Sequence, residues 1–175
     1  VTLNSDTNAK LRILRDHGMD PQKRYWHLEA GYNHRMTNLQ AAIGTAQLEN
    51  IETLLQRRNE IYQCYHNELA NEKFFLDIAP SKSCSFINWL FPLCLSDSYA
   101  DSKNLLMKYL AEKGIDTRNF FFPLHEMSAY ASSQSDFPNA IAFSKRGLNL
   151  PTYYHLSDQS VRIICKHVRG FFSSQ

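Results

Sequence analysis

The sequence lacks the short motifs that would identify its chemistry directly. It has no Walker loop, no GxGxxG, no HExxH, and none of the Ser–His–Asp or Cys–His spacings of a nucleophilic site. Its four cysteines show no CxxC or other metal spacing, so we expect reduced thiols that are buried or half-buried. Motifs therefore give no support for a metal centre or a nucleophilic enzyme.

Charge of one sign and long apolar runs are also scarce. A formal net charge of +2 is too small to argue for a nucleic-acid partner, and no run of Lys and Arg forms a stripe. No apolar run is long enough to span a bilayer. Together with the reduced thiols, these absences lead us to expect a cytoplasmic protein with no membrane partner.

The most informative stretch is a polar, aromatic loop that leads into the longest helix pattern, over residues 31–42. Thr37 and Gln40 have the spacing of a capping box, and the pattern continues to about Leu69 with a bend or break near residues 49–51. Small residues over 41–46 predict close packing against another element or subunit. Capping accounts for two residues of this stretch but not for the Asn, His and Arg that precede them.

The remaining pattern predicts an α/β or α+β region with a small sheet. We expect three consecutive Phe residues, 120–122, to be covered on both sides, because they cannot alternate between core and water. The first predicted elements are a short strand before Asp6 and a helix over 8–17 that is capped by Asp6–Thr7 and stopped by Gly18. A strand over 87–95, with Pro92 at an edge or bulge, is followed by a helix over 102–113 capped by Asp101 and by a strand over 115–118 that returns beside the previous strand. The last predicted elements are a helix from Pro138 to about Gly147, a strand or turn over 148–151, and a helix capped by Ser157.

Residue types alone nominate three side chains for a site. His34 and His125 lie in loops beside Arg or aromatic residues, and Arg118 has a planar fork that suits an anion such as phosphate. The alternatives are solvated loop histidines and an ordinary surface ion pair, and residue types do not exclude them.

The block from Arg24-Tyr25-Trp26-His27 through Gly31-Tyr32-Asn33-His34-Arg35-Met36-Thr37-Asn38-Leu39-Gln40 to Leu48 resembles the central block of the DegT/DnrJ/EryC1/StrS family, most closely its perosamine-synthase-like members. These are pyridoxal-phosphate-dependent aminotransferases of nucleotide-linked keto-sugars. The resemblance continues in order along the chain at Leu11-Arg12, His17-Gly18, Arg57-Arg58, Gly114-Ile115, Thr117-Arg118, Pro123-Leu124-His125, Tyr130, Phe137-Pro138-Asn139-Ala140 and Leu150-Pro151.

The resemblance implies the C-terminal portion of the aspartate aminotransferase fold (type I), with a long interdomain helix and a small sheet flanked by helices. It implies three regions: the end of a large cofactor domain with the active-site loop over 1–36, the connecting helix over 37–70, and a small domain over 71–175. The chain opens without Met. We therefore expect a piece of a larger protein, with the Schiff-base lysine on the part that precedes it.

The resemblance also implies roles for individual residues. Asn33 would donate to the cofactor phosphate of the partner subunit, and Arg35 would lie near the cofactor. His34 stands where many members have Tyr or Phe, so its placement on the substrate side is less specific. His125, Arg118 and Phe122 would line the sugar end of the substrate.

The implied function is transfer of an amino group from glutamate to a nucleotide-linked 4-keto-6-deoxy sugar, of the perosamine type used in cell-surface polysaccharides such as O-antigen. Pyridoxal 5'-phosphate would be the cofactor, and a homodimer would share each active site. The chain alone would be inactive. Two alternatives stay open: a pyridoxal-phosphate-dependent sugar dehydratase of the same family, and a non-catalytic helical module that dimerises.

Overall fold

A computed structural model describes residues 2–78, 86–130 and 137–173. The chain divides into two compact units, residues 1–51 and 52–175, so the domain boundaries expected at residues 36 and 70 stay a prediction. The helices are α1 (Ser5–Arg15), α2 (Asn38–Glu49), α3 (Ile51–Leu69), α4 (Lys103–Glu112), α5 (Pro138–Arg146) and α6 (Asp158–Ser173), the 3-10 turns are Asp97–Ser102 and Leu124–Glu126, and the strands are β1 (Phe91–Cys94), β2 (Arg118–Asn119) and β3 (Gly147–Leu150).

The first unit begins with a helix instead of the expected strand. The side chain of Asn4 accepts a hydrogen bond from the backbone N–H of Thr7 at 2.9 Å, so the cap is Asn4 and not Asp6–Thr7. The helix ends at Arg15, and the backbone then takes positive φ at His17 (60°) and Gly18 (68°). The helix therefore ends two residues earlier than predicted, and the left-handed turn that stops it begins at His17 and includes the predicted Gly18.

The capping box and the helix break are both confirmed. The hydroxyl of Thr37 accepts from the backbone of Gln40 at 3.2 Å, and the side chain of Gln40 accepts from the backbone of Thr37 at 2.9 Å. Asn50 interrupts the helix, and its side chain donates to the carbonyl of Ala46 at 3.0 Å. Every residue of α2 is exposed, so the small-residue surface over 41–46 has no packing partner in the described part of the chain.

The second unit is built on a three-stranded antiparallel sheet in the order β1-β3-β2. Leu148 faces Leu93 and Asn119, and Asn149 faces Arg118. We expected β2 to return beside β1, which is wrong, because β3 lies between them. The buried leucines of β3 explain its central position, and Pro92 is tolerated because β1 is an edge strand.

Helices α3, α4 and α6 supply most of the core of this unit. Tyr65 is fully buried and its ring stacks on Phe91 with centroids 4.7 Å apart. The other large side chains that are fully buried are Ile61, Leu69, Leu93, Leu95, Leu106, Leu110, Leu148, Leu150, Val161 and Val168.

Two local predictions in this unit are wrong. Asp101 does not cap α4; it lies inside a 3-10 turn that precedes the helix. The Phe run is not covered on both sides, since Phe121 is 81% and Phe122 is 64% exposed. Only Phe120 is partly buried, and its ring occupies the space beside Gly147.

Helices α5 and α6 begin as predicted. Pro138 occupies the first turn of α5, and the hydroxyl of Ser157 accepts from the backbone N–H of Ser160 at 3.1 Å. Cys64, Cys94 and Cys165 are free and buried or half-buried, as expected, whereas Cys84 lies outside the described residues.

Replacing Tyr65 by Phe is expected to lower the free energy of unfolding by about 1 kcal/mol. The Tyr65 hydroxyl donates to the carbonyl of Pro151 at 3.0 Å, and its removal leaves a partly buried acceptor unpaired. Urea denaturation measures the loss. Tyr130→Phe is the matched control, because Tyr130 is 65% exposed; equal losses in the two variants would contradict the prediction.

Candidate functional site

The loop that carries Asn33 is fixed to the end of α1 by backbone hydrogen bonds. The N–H of Tyr32 donates to the carbonyl of Leu14 at 2.7 Å, and that of His34 donates to Arg15 at 3.0 Å. The N–H of His17 returns a bond to the Tyr32 carbonyl at 2.9 Å. These bonds fix both neighbours of Asn33, so its side chain leaves a backbone of set geometry.

Two side chains of this loop have partners within it or on α1, and one has none. Arg35 makes an ion pair with Asp16 at 3.0 Å, and the ring of His34 stacks on Tyr32 with centroids 5.2 Å apart. Asn33 is exposed, and no side chain in the described ranges bonds its carboxamide. The loop therefore presents one unpaired amide beside a guanidinium that Asp16 holds in place.

A second set of candidates lies in the other unit. His125 sits in the 3-10 turn after Pro123, and its ring lies 5.0 Å from that of Phe137. Its Nε2 atom is buried and has no hydrogen-bond partner among the described residues. A buried polar atom without a partner is costly, so this nitrogen needs a hydrogen bond that the described residues do not supply. Phe122 is exposed three residues earlier in the loop.

Arg118 lines a separate feature, a cleft of about 670 Å³ at the ends of β2 and β3. Phe122 and His125 are not among the residues that line it. The expectation that Arg118 shares one wall with them stays a prediction. The cleft also includes Arg58, Trp89 and Tyr153, which the sequence pattern did not nominate.

The buried thiols are poor candidates for catalysis. Burial raises the pKa of the Cys165 thiol to about 12, and it also raises the pKa of Cys94. Protonated thiols are weak nucleophiles. Across residues 2–78, 86–130 and 137–173, no three His, Cys, Asp or Glu side chains are grouped as a metal would require.

The sequence model of the DegT/DnrJ/EryC1/StrS aminotransferase family matches residues 1–169. The chain belongs to this family, and its aminotransferases depend on pyridoxal phosphate.

Curated relatives match nearly the whole chain. It is 34% identical over 177 residues to GDP-perosamine synthase of Vibrio cholerae, covering 99% of this chain and 48% of the relative. It is 37% identical over 165 residues to GDP-perosamine synthase of Caulobacter vibrioides, covering 92% and 44%. The chain thus spans about half the length of the curated relatives it matches.

A solved structure shows the same fold. The aminotransferase PseC of Helicobacter pylori, involved in pseudoaminic acid biosynthesis, superposes with a TM-score of 0.89 at 24% identity, over all of this chain and 48% of that one. The predicted fold class, a portion of the aminotransferase fold with helices around a small sheet, is confirmed. No helix among the described residues is long and apolar enough to cross a membrane.

The loop of the first unit fits the phosphate of this cofactor. An amide N–H₂ donates hydrogen bonds, and phosphate oxygens accept them. The Asn33 carboxamide is exposed and unbonded by any described side chain, and the guanidinium of Arg35 lies two residues away, with its charge balanced by Asp16. The amide and the guanidinium N–H groups that Asp16 leaves open are donors that suit an anion.

Proposed function

We propose that this chain supplies part of the active site of a homodimeric, cytoplasmic aminotransferase. The enzyme would transfer an amino group from glutamate to a nucleotide-linked 4-keto-6-deoxy sugar of the perosamine type. Support comes from GDP-perosamine synthases, including those of Vibrio cholerae and Caulobacter vibrioides, that match over most of the chain. The observation that carries the proposal is the anchored loop, which presents the unpaired Asn33 amide on a fixed backbone.

Pyridoxal phosphate would supply the electron sink that the chemistry needs. The Asn33 amide would donate to a phosphate oxygen of the cofactor held by the partner subunit. Arg35, oriented by Asp16 at 3.0 Å, would direct its remaining guanidinium N–H donors towards the same phosphate. His34, stacked on Tyr32, would border the substrate from this loop.

The sugar end of the substrate would meet the second unit. The unpaired Nε2 of His125 would hydrogen-bond a sugar hydroxyl, with the ring held against Phe137. Phe122, exposed in the same loop, would offer an apolar surface to the deoxy carbon. These contacts orient the substrate and leave bond-making to the cofactor.

We place the lysine that binds the cofactor covalently outside these 175 residues. The isolated chain is then expected to form no covalent adduct with pyridoxal phosphate at a specific lysine. Borohydride reduction followed by peptide mass mapping tests this. A single modified lysine at stoichiometric yield would contradict the assignment.

The function is tested in the enzyme that contains this chain, with Asn33→Ala and His125→Ala. Each change removes a hydrogen bond to a ligand, so we expect a loss of glutamate-dependent amino transfer of at least roughly tenfold. Formation of 2-oxoglutarate with the aminated sugar is the readout. Asn67→Ala, on the exposed surface of α3, is the control.

The outcomes separate the alternatives. Sugar dehydroxylation without 2-oxoglutarate would identify a dehydratase. Full activity in both variants would favour a module whose role is dimerisation.

A further inference from the structure

We propose that an apolar pocket of the second unit, separate from the cleft, binds a neutral aromatic molecule that donates one hydrogen bond, of the phenol or indole type. The pocket lies between residues 86–90, residues 120–123 and one side of α5. The inference goes beyond the proposed function, because such a ligand is neither the sugar nucleotide nor the amino donor.

The pocket is large enough for a small molecule, and its walls are fixed by the fold. Its volume is about 600 Å³, within the roughly 300–1,000 Å³ range of ligand pockets. The ring of Phe120, in one wall, fits so closely against Gly147 that a Cβ added there would lie 2.1 Å from it. Trp89 forms another wall, and its carbonyl accepts from Arg58 at 3.1 Å and from Thr152 at 2.7 Å. The walls are therefore formed before any ligand arrives.

The chemistry of the walls excludes a charged ligand. Among the described residues, no Asp, Glu, Lys, Arg or His side chain lines the pocket, whereas the neighbouring cleft contains Arg58, Asp116 and Arg118. Moving a phosphate or carboxylate from water into such a place costs more than one hydrogen bond returns. Both a sugar nucleotide and glutamate carry such groups, so the pocket suits a neutral molecule.

Aromatic rings make up much of the wall. Phe86, Trp89 and Phe121 are exposed and present ring surface to the pocket. Aromatic pairs in offset or edge-to-face arrangements gain more than their buried area alone provides. A planar ring is therefore favoured over an aliphatic chain of the same volume. The full set of lining rings is Tyr62, Phe86, Trp89, Phe120, Phe121 and Phe143.

One unpaired acceptor defines the polar group of the ligand. Asn88 lines the pocket, and its Nδ2–H donates to Oδ1 of Asn59 at 3.0 Å. The Oδ1 atom of Asn88 is buried and has no hydrogen-bond partner among the described residues. An unpaired buried acceptor is costly, and a ligand O–H or N–H would remove that cost. A ring that carries one donor matches this pocket better than a hydrocarbon does.

Calorimetric titration of the enzyme that contains this chain tests the polar contact with a matched pair of ligands. The pair is p-cresol and p-xylene, in which a methyl group replaces the hydroxyl at nearly the same shape. Asn88→Ala should weaken p-cresol binding by roughly tenfold and leave p-xylene binding within about twofold. Asn104→Ala, the same change on the exposed surface of α4, should affect neither ligand.

Filling the pocket tests its location. Ala140 of α5 lines it, and Ala140→Leu places a larger apolar side chain in the space that the ring needs. Both ligands should then bind at least roughly tenfold more weakly. Ala111→Leu, on an exposed position of α4 outside the pocket, is the matched control and should change neither affinity.

An Asn88-dependent affinity for p-cresol, together with loss of both ligands in Ala140→Leu, supports the inference. Failure of both ligands to bind the unchanged enzyme would mean that protein fills the pocket, and would overturn it. Equal losses of the two ligands in Asn88→Ala, or unchanged binding in Ala140→Leu, would also overturn it. Because heat of binding is the readout, a failure of the proposed amino transfer would leave this result standing.

Discussion

Replacing Gly31 by Ala is expected to detach the loop over residues 32–35 from α1. A Cβ at Gly31 would lie 2.0 Å from the backbone nitrogen of Gly18 and 2.7 Å from its Cα. Gly18 has φ of +68°, and a Cβ added to it would lie 2.0 Å from the carbonyl oxygen of Glu29, so Gly18 has no room to move away from Gly31 on that side. The atoms nearest to the new methyl group are all backbone atoms, which cannot make room for it as a flexible side chain could. We expect a cost at the upper end of overpacking, about 3 kcal/mol.

Hydrogen exchange of the Tyr32 and His34 amides measures this cost directly, because both donate to the end of α1. Their protection should fall by roughly a hundredfold if opening becomes about 3 kcal/mol easier. Gly44→Ala is the matched control. A Cβ there meets nothing within 4 Å, and Ala within a helix is expected to stabilise by roughly 0.5–1 kcal/mol. Unchanged protection in Gly31→Ala would show that the loop stays bound to α1 without the close approach of Gly31 to Gly18.

Local signals explain what the sequence predicted well. The capping box at Thr37 and Gln40, the break at Asn50 and the cap at Ser157 each depend on residues within four positions of one another. Such contacts form in any context that allows the helix. The prediction of where α1 starts was wrong for a related reason. Asn4 lies close to Asp6–Thr7 in sequence, and a side-chain amide caps a helix as well as a carboxylate or hydroxyl does.

The order of the strands could not be predicted, because it depends on contacts between distant residues. β3 was expected only as a strand or turn, yet it takes the central place and pairs with Phe91 at one end of the register and with Asn119 on the other side. The exposed Phe121 and Phe122 show the same limit. Their coverage depends on surfaces that a local pattern does not contain.

The candidate sites divide in the same way. Asn33 and Arg35 came from a resemblance whose motifs are continuous in sequence. His125 came from its residue type and from the same resemblance, and the roles of all three stay predictions. The cleft joins Arg58, Trp89, Arg118 and Tyr153, which no short window contains. The hydrogen bonds that Arg58 and Thr152 donate to the Trp89 carbonyl, and the pairing of Arg118 with Asn149, show that these segments meet.

Replacing Asn33 by Asp is expected to weaken the binding of pyridoxal phosphate to the enzyme that contains this chain by roughly a hundredfold. The two side chains have nearly the same shape, so the loop should keep its backbone bonds to Leu14 and Arg15. The change replaces an amide donor by a carboxylate. A bond to a charged phosphate is lost, and like charges then repel across the same short distance.

The matched ligand for this variant is pyridoxal without its phosphate. Asn33→Asp should bind pyridoxal as the unchanged enzyme does, and only pyridoxal phosphate should be affected. Absorbance titration of each ligand gives the two affinities, and Asn8→Asp, which adds the same charge on the exposed surface of α1, should change neither. Equal losses for both ligands would mean that the loop has moved. Unchanged affinity for pyridoxal phosphate would mean that Asn33 does not contact the phosphate, and the anchored loop would then no longer support the proposed function.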